Sequence, residues 1–300
     1  MLPKISIITP SFNQSEFLEL SIKSVIEQNY PNLEFIVMDG GSSDETLDIL
    51  NKYDKDIDYW KSERDRGQAD AINKGFKLSN GIIIGWLNSD DLLAPNSLFK
   101  VAEAYNTNPG EKIFFGDCSV IDHRGNFVST KITKDFDWHT ILLGKSLGQP
   151  AVFMNREILK EIGYLEYQLQ YALDWAFFLK AFYFYKNNQT KYINSVLGIS
   201  REYEGTKSRT GLNEKGEERR EILKKFFKEF ISVDKSTAMK AYAGTYKVQF
   251  FDELFAAKLL SSFRSIIYVL YYNPSIILKN IDKIRWIINK AMNRAQEKYE

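Results

Sequence analysis

Four short runs rich in β-branched and aromatic residues, Ile5 to Thr9, Leu33 to Met38, Ile57 to Trp60 and Ile82 to Leu87, recur through the first 90 residues with helix-like stretches between them. Runs of this length and composition read as strands. Ser15 to Gln28 places Phe17, Leu18, Ile22, Val25 and Ile26 near one helical face, and Ser42 and Glu45 have the spacing of a capping box for a helix through Leu50. Such alternation builds a parallel sheet covered by helices, and ligands bind beyond the carboxyl ends of its strands. The residues after each strand therefore carry the chemistry.

Those residues are Thr9-Pro10-Ser11-Phe12-Asn13, then Asp39-Gly40-Gly41-Ser42-Ser43-Asp44, then Glu63-Arg64-Asp65-Arg66-Gly67, and finally Asn88-Ser89-Asp90-Asp91. One edge collects at least four carboxylates. No GxGxxG and no GxxxxGK[ST] supplies backbone amides for a bare phosphate. Acidic loops suit a sugar, a base edge, or a phosphate already bridged by a divalent cation. A single Cys118 excludes intrachain disulfides and cysteine-based zinc sites, and two histidines are too few for a histidine-rich one, so a bound metal must take oxygen ligands.

Beyond Asp91 the pattern loses its regularity. Lys112 to Val120 and Phe127 to Ile132 read as a hairpin around Arg124-Gly125-Asn126, residues 171 to 186 as an aromatic helix, Lys191 to Ile199 as a further strand, and everything from 217 onward as helix. Residues 215 to 300 carry 17 Lys/Arg against 10 Asp/Glu, a net of +7, which leaves −6 for the rest. The polar stretch from Glu204 to Gly216 marks the boundary, giving a catalytic domain over 1–210 and a helical region over 211–300. No apolar run approaches the ~18 residues of a membrane span, and no secretory signal is legible, so a cytoplasmic location is expected. Residues 275 to 298 place Ile277, Ile281, Ile284 and Ile288 on one helical face and Lys279, Lys283, Lys290 and Arg294 on the other. Such a helix packs on its own domain, on a second copy, or peripherally on the inner face of the plasma membrane.

TPSFN, DGGSSDET, SERDRGQADAINKGFKLSNG and LNSDD, in this order, resemble the family 2 glycosyltransferases of the GT-A fold, over about residues 3 to 208. The resemblance implies an α/β protein: a nucleotide-sugar-binding, Rossmann-like mixed sheet flanked by helices, here with a C-terminal helical extension. It implies an inverting glycosyltransferase that moves a sugar from a nucleotide-sugar donor, UDP-linked by the base contact expected of Asp39, to a saccharide or lipid-linked acceptor in surface polysaccharide or glycoconjugate assembly. Pro10, Phe12, Asp39 and Asp65 would surround the nucleoside, Asn88 and Asp90 would hold the donor, and Asp90 and Asp91 would bind Mg²⁺ or Mn²⁺. Asp174, near the start of the aromatic helix, would be the base, and Arg201, Lys207 and Ser208 would close over the diphosphate. Each has a plainer alternative: a turn for Asp39, helix caps for Asp91 and Asp174, a solvated linker for 201–209. A sugar-phosphate nucleotidyltransferase and a non-catalytic nucleotide-sugar-binding protein are the competing classes. Nucleic-acid binding has no supporting motif.

Overall fold

The computed structural model describes all residues except 187–188, 208, 232–233, 256–258, 277–279, 281–283 and 285–300. The helix expected over 275–298 therefore lies outside the described residues apart from 275, 276, 280 and 284. No described helix is long and apolar enough to cross a membrane.

The chain divides into two compact units, Met1–Trp138 with Leu147–Tyr203, and His139–Ser146 with Glu204–Glu300. In the first, β1 (Ile5–Ser11) is buried along its whole length. A strand without a polar face belongs in the middle of a sheet covered on both sides. It runs parallel to β2 (Leu33–Asp39) on one side and β4 (Ile83–Trp86) on the other, and β3 (Tyr59–Ser62) adds to β2, again parallel. The helices α1 (Ser15–Ile26), α2 (Thr46–Lys52) and α3 (Gln68–Leu78) are the crossovers.

The remainder is mixed. After β5 (Leu92–Leu93), α4 (Ser97–Thr107), β6 (Ile113–Ile121), β7 (Phe127–Lys131) and α5 (Trp138–Leu142), a 3-10 turn at Gln149–Ala151 leads into β8 (Val152–Asn155). Then follow α6 (Ile158–Ile162), α7 (Leu173–Phe184) and β9 (Thr190–Arg201). The sheet order is β3-β2-β1-β4-β8-β6-β9-β5, with β7 paired to β6. β8 is antiparallel to both β4 and β6, and β9 returns parallel to β6. One face of the parallel part is filled by Leu18, Ile22, Val25, Phe35 and Val37. On the aromatic side Trp86 stacks on Phe178 at 5.3 Å and meets Phe76 and Phe177 edge-on.

Two sequence expectations change, and two strands had none. β3 starts at Tyr59 because the Asp58 carboxylate is occupied by the Phe35 N–H (2.8 Å) and Ile57 is buried as a core plug. The capping box does not form: Ser42 Oγ donates to Asp39 (2.5 Å), and Asp44 instead accepts the Thr46 N–H. β5 and β8 have two and four residues, too few to show a period.

The second unit contains all of α5 but Trp138, with α8 (Leu212–Glu229), α9 (Lys235–Phe255) and α10 (Leu259–Tyr272). Glu253 on α9 is fully buried and accepts hydrogen bonds from Gln249 Nε2 and, across to α10, Ser265 Oγ, both 2.8 Å. Tyr246 stacks on Tyr268 at 4.5 Å, and the Arg220 guanidinium lies 4.3 Å from the Tyr246 ring.

At the amino edge of the sheet the Glu34 carboxylate ties β2 to β1 and to the turn before β4. It accepts from Lys4 Nζ (2.8 Å), Ser6 Oγ (2.5 Å) and the Asn80 N–H (2.6 Å). Burial works against its charge, but the Asn80, Lys4 and Ser6 hydrogen bonds prevail and hold its pKa down at about 2. A folded-state pKa below the unfolded one gives stability that is present above the unfolded value and is lost as pH falls through the folded one. Glu34→Gln should therefore cost about 2–3 kcal/mol at pH 7. The gap in melting temperature between wild type and variant should close between about pH 4.5 and pH 2. Denaturation followed by circular dichroism across that range checks it; a gap independent of pH would show that the carboxylate's charge is not what holds this edge.

Candidate active site

The parallel register brings Ser11, Asp39 and Ser62 side by side at the carboxyl edge of β1, β2 and β3. Asp39 is 2% exposed, and its carboxylate accepts from the Gly41 and Ser42 N–H groups, from Ser42 Oγ and from Ser62 Oγ. It builds the turn after β2. Oδ1 takes the Ser42 hydroxyl alone, which leaves an acceptor position on that oxygen. The loops after β1 and β2 interlock, with the Asn13 N–H donating to Ser42 Oγ (2.8 Å), the Ser43 N–H to Asn13 Oδ1 (2.9 Å) and the Ser15 N–H to Asp44 (2.9 Å).

Gly40 is the gap around which this corner closes. A Cβ there would lie 2.9 Å from Asp65 Oδ2 and 3.2 Å from Phe12 Cδ2. Phe12 is 59% exposed, Pro10 is buried within β1, and the Asp65 carboxylate is steadied by the Gly67 N–H at 2.7 Å. Pro10, Phe12, Asp39 and Asp65 thus meet at one corner.

The acidic turn follows β4. The Asp91 N–H donates to the Asn88 carbonyl (3.0 Å), and the Asp91 carboxylate accepts from Asn88 Nδ2 (3.1 Å) and from the Arg201 N–H (2.9 Å). Gln68 Nε2 in turn holds Asn88 Oδ1 at 2.8 Å. Neither acid caps a helix, since α4 begins after Asn96. Burial, and then the charge of Asp90, push the Asp91 carboxyl well above the usual carboxylate range. Two adjacent acids so placed favour a cation beside them. Among the described residues no three His, Cys, Asp or Glu side chains converge on a metal site. One or two carboxylates with substrate oxygens completing the shell is the mode suited to Mg²⁺ rather than to a protein cage.

Arg201 has its guanidinium engaged by backbone. It is 5% exposed; Nε donates to the Asp90 carbonyl (3.2 Å) and Nη1 to the carbonyls of Asp122 (3.2 Å) and His123 (3.1 Å), while the guanidinium lies 4.7 Å from the Phe17 ring. Three N–H bonds to backbone make it a brace for the acidic turn. Around it Phe17, His123 and Tyr203 pack ring against ring at 5.1–5.6 Å, and His123 Nε2 lies 2.8 Å from Glu16 Oε1. No sequence signal marks this group, because its members are over a hundred or about eighty residues apart. Lys207 belongs to the second unit, and Ser208 lies outside the described residues.

Asp174 occupies the first turn of α7, where Oδ1 accepts the Trp175 N–H at 2.7 Å; the cap position is Ala172. One turn along α7, Phe178 stacks on Trp86, which lies two residues before Asn88. β8 runs antiparallel to β4, so the turn before it projects past the carboxyl end of β4, and Gln149 Nε2 donates to the Trp86 carbonyl at 2.6 Å. Trp86 and Trp175 are core residues, 2% and 1% exposed.

The sequence profile of Glycosyl transferase family 2 matches residues 6–162, just over half of the chain. The chain belongs to this family. A PGL/p-HBAD biosynthesis glycosyltransferase of Mycobacterium bovis is 30% identical to this family 2 glycosyltransferase over 212 residues, 68% of this chain and 78% of the relative. An uncharacterized glycosyltransferase of Haemophilus influenzae is 31% identical over 182 residues, 59% and 71% of the two chains. Among solved structures, S. aureus TarS 1-349 in complex with UDP-GlcNAc superposes with a TM-score of 0.66 at 16% identity, covering 99% of this chain and 91% of that one. The mannosyltransferase PcManGT from Pyrobaculum calidifontis, in complex with GDP-Man and Mn²⁺, gives 0.56 at 18%, covering 100% and 89%. These two likenesses are of fold, which in this glycosyltransferase is the GT-A type.

The Gly40 corner of the glycosyltransferase makes a test. In Gly40→Ala the new methyl meets the end of a movable side chain, so stability should change by about 1 kcal/mol or less. Asp65 and Phe12 must part, and UDP affinity should drop roughly tenfold, about 1.4 kcal/mol. Calorimetric titration with UDP beside a melting curve separates the two effects; unchanged affinity would remove this corner from the nucleotide site.

Proposed function

We propose that this glycosyltransferase transfers a sugar, with inversion, from a UDP-sugar to a hydroxyl of a saccharide or lipid-linked acceptor in glycoconjugate assembly. The observation that carries the reading is the Asn88–Asp91 turn, where a buried carboxyl is pushed up beside a second acid at the carboxyl edge of a parallel strand. Supporting it, TarS binds UDP-GlcNAc and PcManGT binds GDP-Man with Mn²⁺, and the mycobacterial relative is named for PGL/p-HBAD biosynthesis.

In this mechanism Phe12 and Pro10 offer an apolar wall to the base, and Asp39 Oδ1 accepts the uracil N3–H. A buried donor left unpaired costs ~1–3 kcal/mol, so this contact selects the base. Asp65 faces the same nucleoside across Gly40. Asn88 and Asp90 orient the donor, and Asp90 with Asp91 would hold Mg²⁺ or Mn²⁺, whose charge would offset the diphosphate as the nucleoside diphosphate departs. Arg201 keeps Asp91 in place through its N–H and the turn through its guanidinium. Asp174 takes the proton from the acceptor hydroxyl, whose oxygen bonds to the anomeric carbon from the side opposite the leaving diphosphate.

A panel of nucleotide sugars with Mn²⁺ or Mg²⁺, scored for donor hydrolysis and transfer, tests the reading; no turnover of any donor would overturn it. Asp174→Asn keeps an oxygen for the Trp175 N–H but cannot take a proton. Transfer should fall by ~10²–10⁴-fold while UDP affinity and melting temperature stay near wild type. Near-normal transfer by this variant would reduce Asp174 to a structural residue. Asp91→Ala should abolish the metal-dependent part of UDP binding by calorimetry; wild-type affinity with Mn²⁺ would remove Asp91 from the cation site.

A further inference from the structure

α10 carries large apolar side chains on its exposed side as well as on its buried one. Its inner side sends Ser262, Ser265 and Val269 into the helical unit, each 3% exposed or less, and Ile266 packs with Phe250, Phe251 and Leu254. Its outer side carries Phe263, Ile267, Leu270 and Tyr271, which are 67%, 63%, 46% and 72% exposed. The spacing i, i+4, i+7, i+8 puts these four on one face. A contiguous exposed stripe of large apolar side chains marks a surface that something else covers.

Charge decides between the coverings. The unit formed by 139–146 and 204–300 carries 20 Lys/Arg against 12 Asp/Glu, a net of +8. α10 itself contains no acid, and Arg264 stands exposed within the stripe. A second copy docked face to face would bring two such units together, like charge against like. An anionic surface that also accepts apolar and aromatic side chains satisfies both features at once.

We propose that the Phe263–Ile267–Leu270–Tyr271 face of α10 docks this glycosyltransferase on an anionic lipid surface. Side chains of this kind enter the boundary between headgroups and acyl chains, while the basic unit is attracted to the lipid charge. The inference stands apart from the donor chemistry, because none of these residues belongs to the site at the strand ends.

The test uses the whole 300-residue chain and sedimentation with vesicles of phosphatidylcholine alone or with a quarter phosphatidylglycerol. The protein should pellet with the mixed vesicles, less with the neutral ones, and less again at high salt. Phe263→Gln with Ile267→Gln should weaken binding roughly tenfold or more without changing net charge. Tyr271→Gln, at the most exposed position, is the milder second variant and should weaken it in the same direction. Unchanged melting temperature and donor hydrolysis show that both variants are folded. The proposal is overturned if wild type ignores anionic vesicles, if it binds neutral ones as well, or if folded variants bind like wild type. It is equally overturned if sedimentation equilibrium finds a dimer that these substitutions dissociate, since a second copy then covers the face.

Discussion

A carboxyl taken out of water has to find donors or a cation, and the site at the strand ends is arranged around that demand at Asp91. The two-residue β5 pairs with β9, Leu92 opposite Ile199, and this short ladder brings the Arg201 N–H to the Asp91 carboxylate. The same arginine reaches the Asp90, Asp122 and His123 carbonyls, so the acidic turn, the β6–β7 turn and the end of β9 share one brace. Removing a buried donor of this kind exposes several acceptors at once, and the loss exceeds that of a single hydrogen bond.

The opposite edges of the sheet treat buried acids in opposite ways. At the amino edge Glu34 meets enough donors to stay ionised, and that edge is finished without a ligand. At the carboxyl edge Asp91 has two donors and an acidic neighbour, and its carboxyl is pushed up. The contrast separates an edge whose acid is fully supplied with donors from one whose acid is not. The effect extends to Cys118 on β6, whose thiol is pushed up to about 11 by burial and then by Asp91.

Much of the parallel half was legible because its signals are local: β1, β2 and β4 are continuous buried runs, and the loops after them carry their acids within a few residues. The site's braces were not legible. Arg201 was expected to close over the diphosphate only through the family resemblance, and the folded chain shows its guanidinium turned to backbone. Phe17, His123 and Tyr203 come together from three separate segments, so no spacing records them. Ser42 shows a competition between two local rules, where the Asp39 carboxylate took the hydroxyl that the helix start was expected to use. β8 has only four residues and left no sequence signal, and neither did the reversal of strand direction that carries Gln149 past the end of β4.

The loops after β1 and β2 are already tied to each other through Asn13, Ser42 and Asp44, before any nucleotide arrives. The freedom of those residues is therefore lost once, when the chain folds, and not again at each turnover. Under the proposed function a nucleotide would order only itself there, and the corner would act as a fixed template whose affinity reflects fit rather than adaptation.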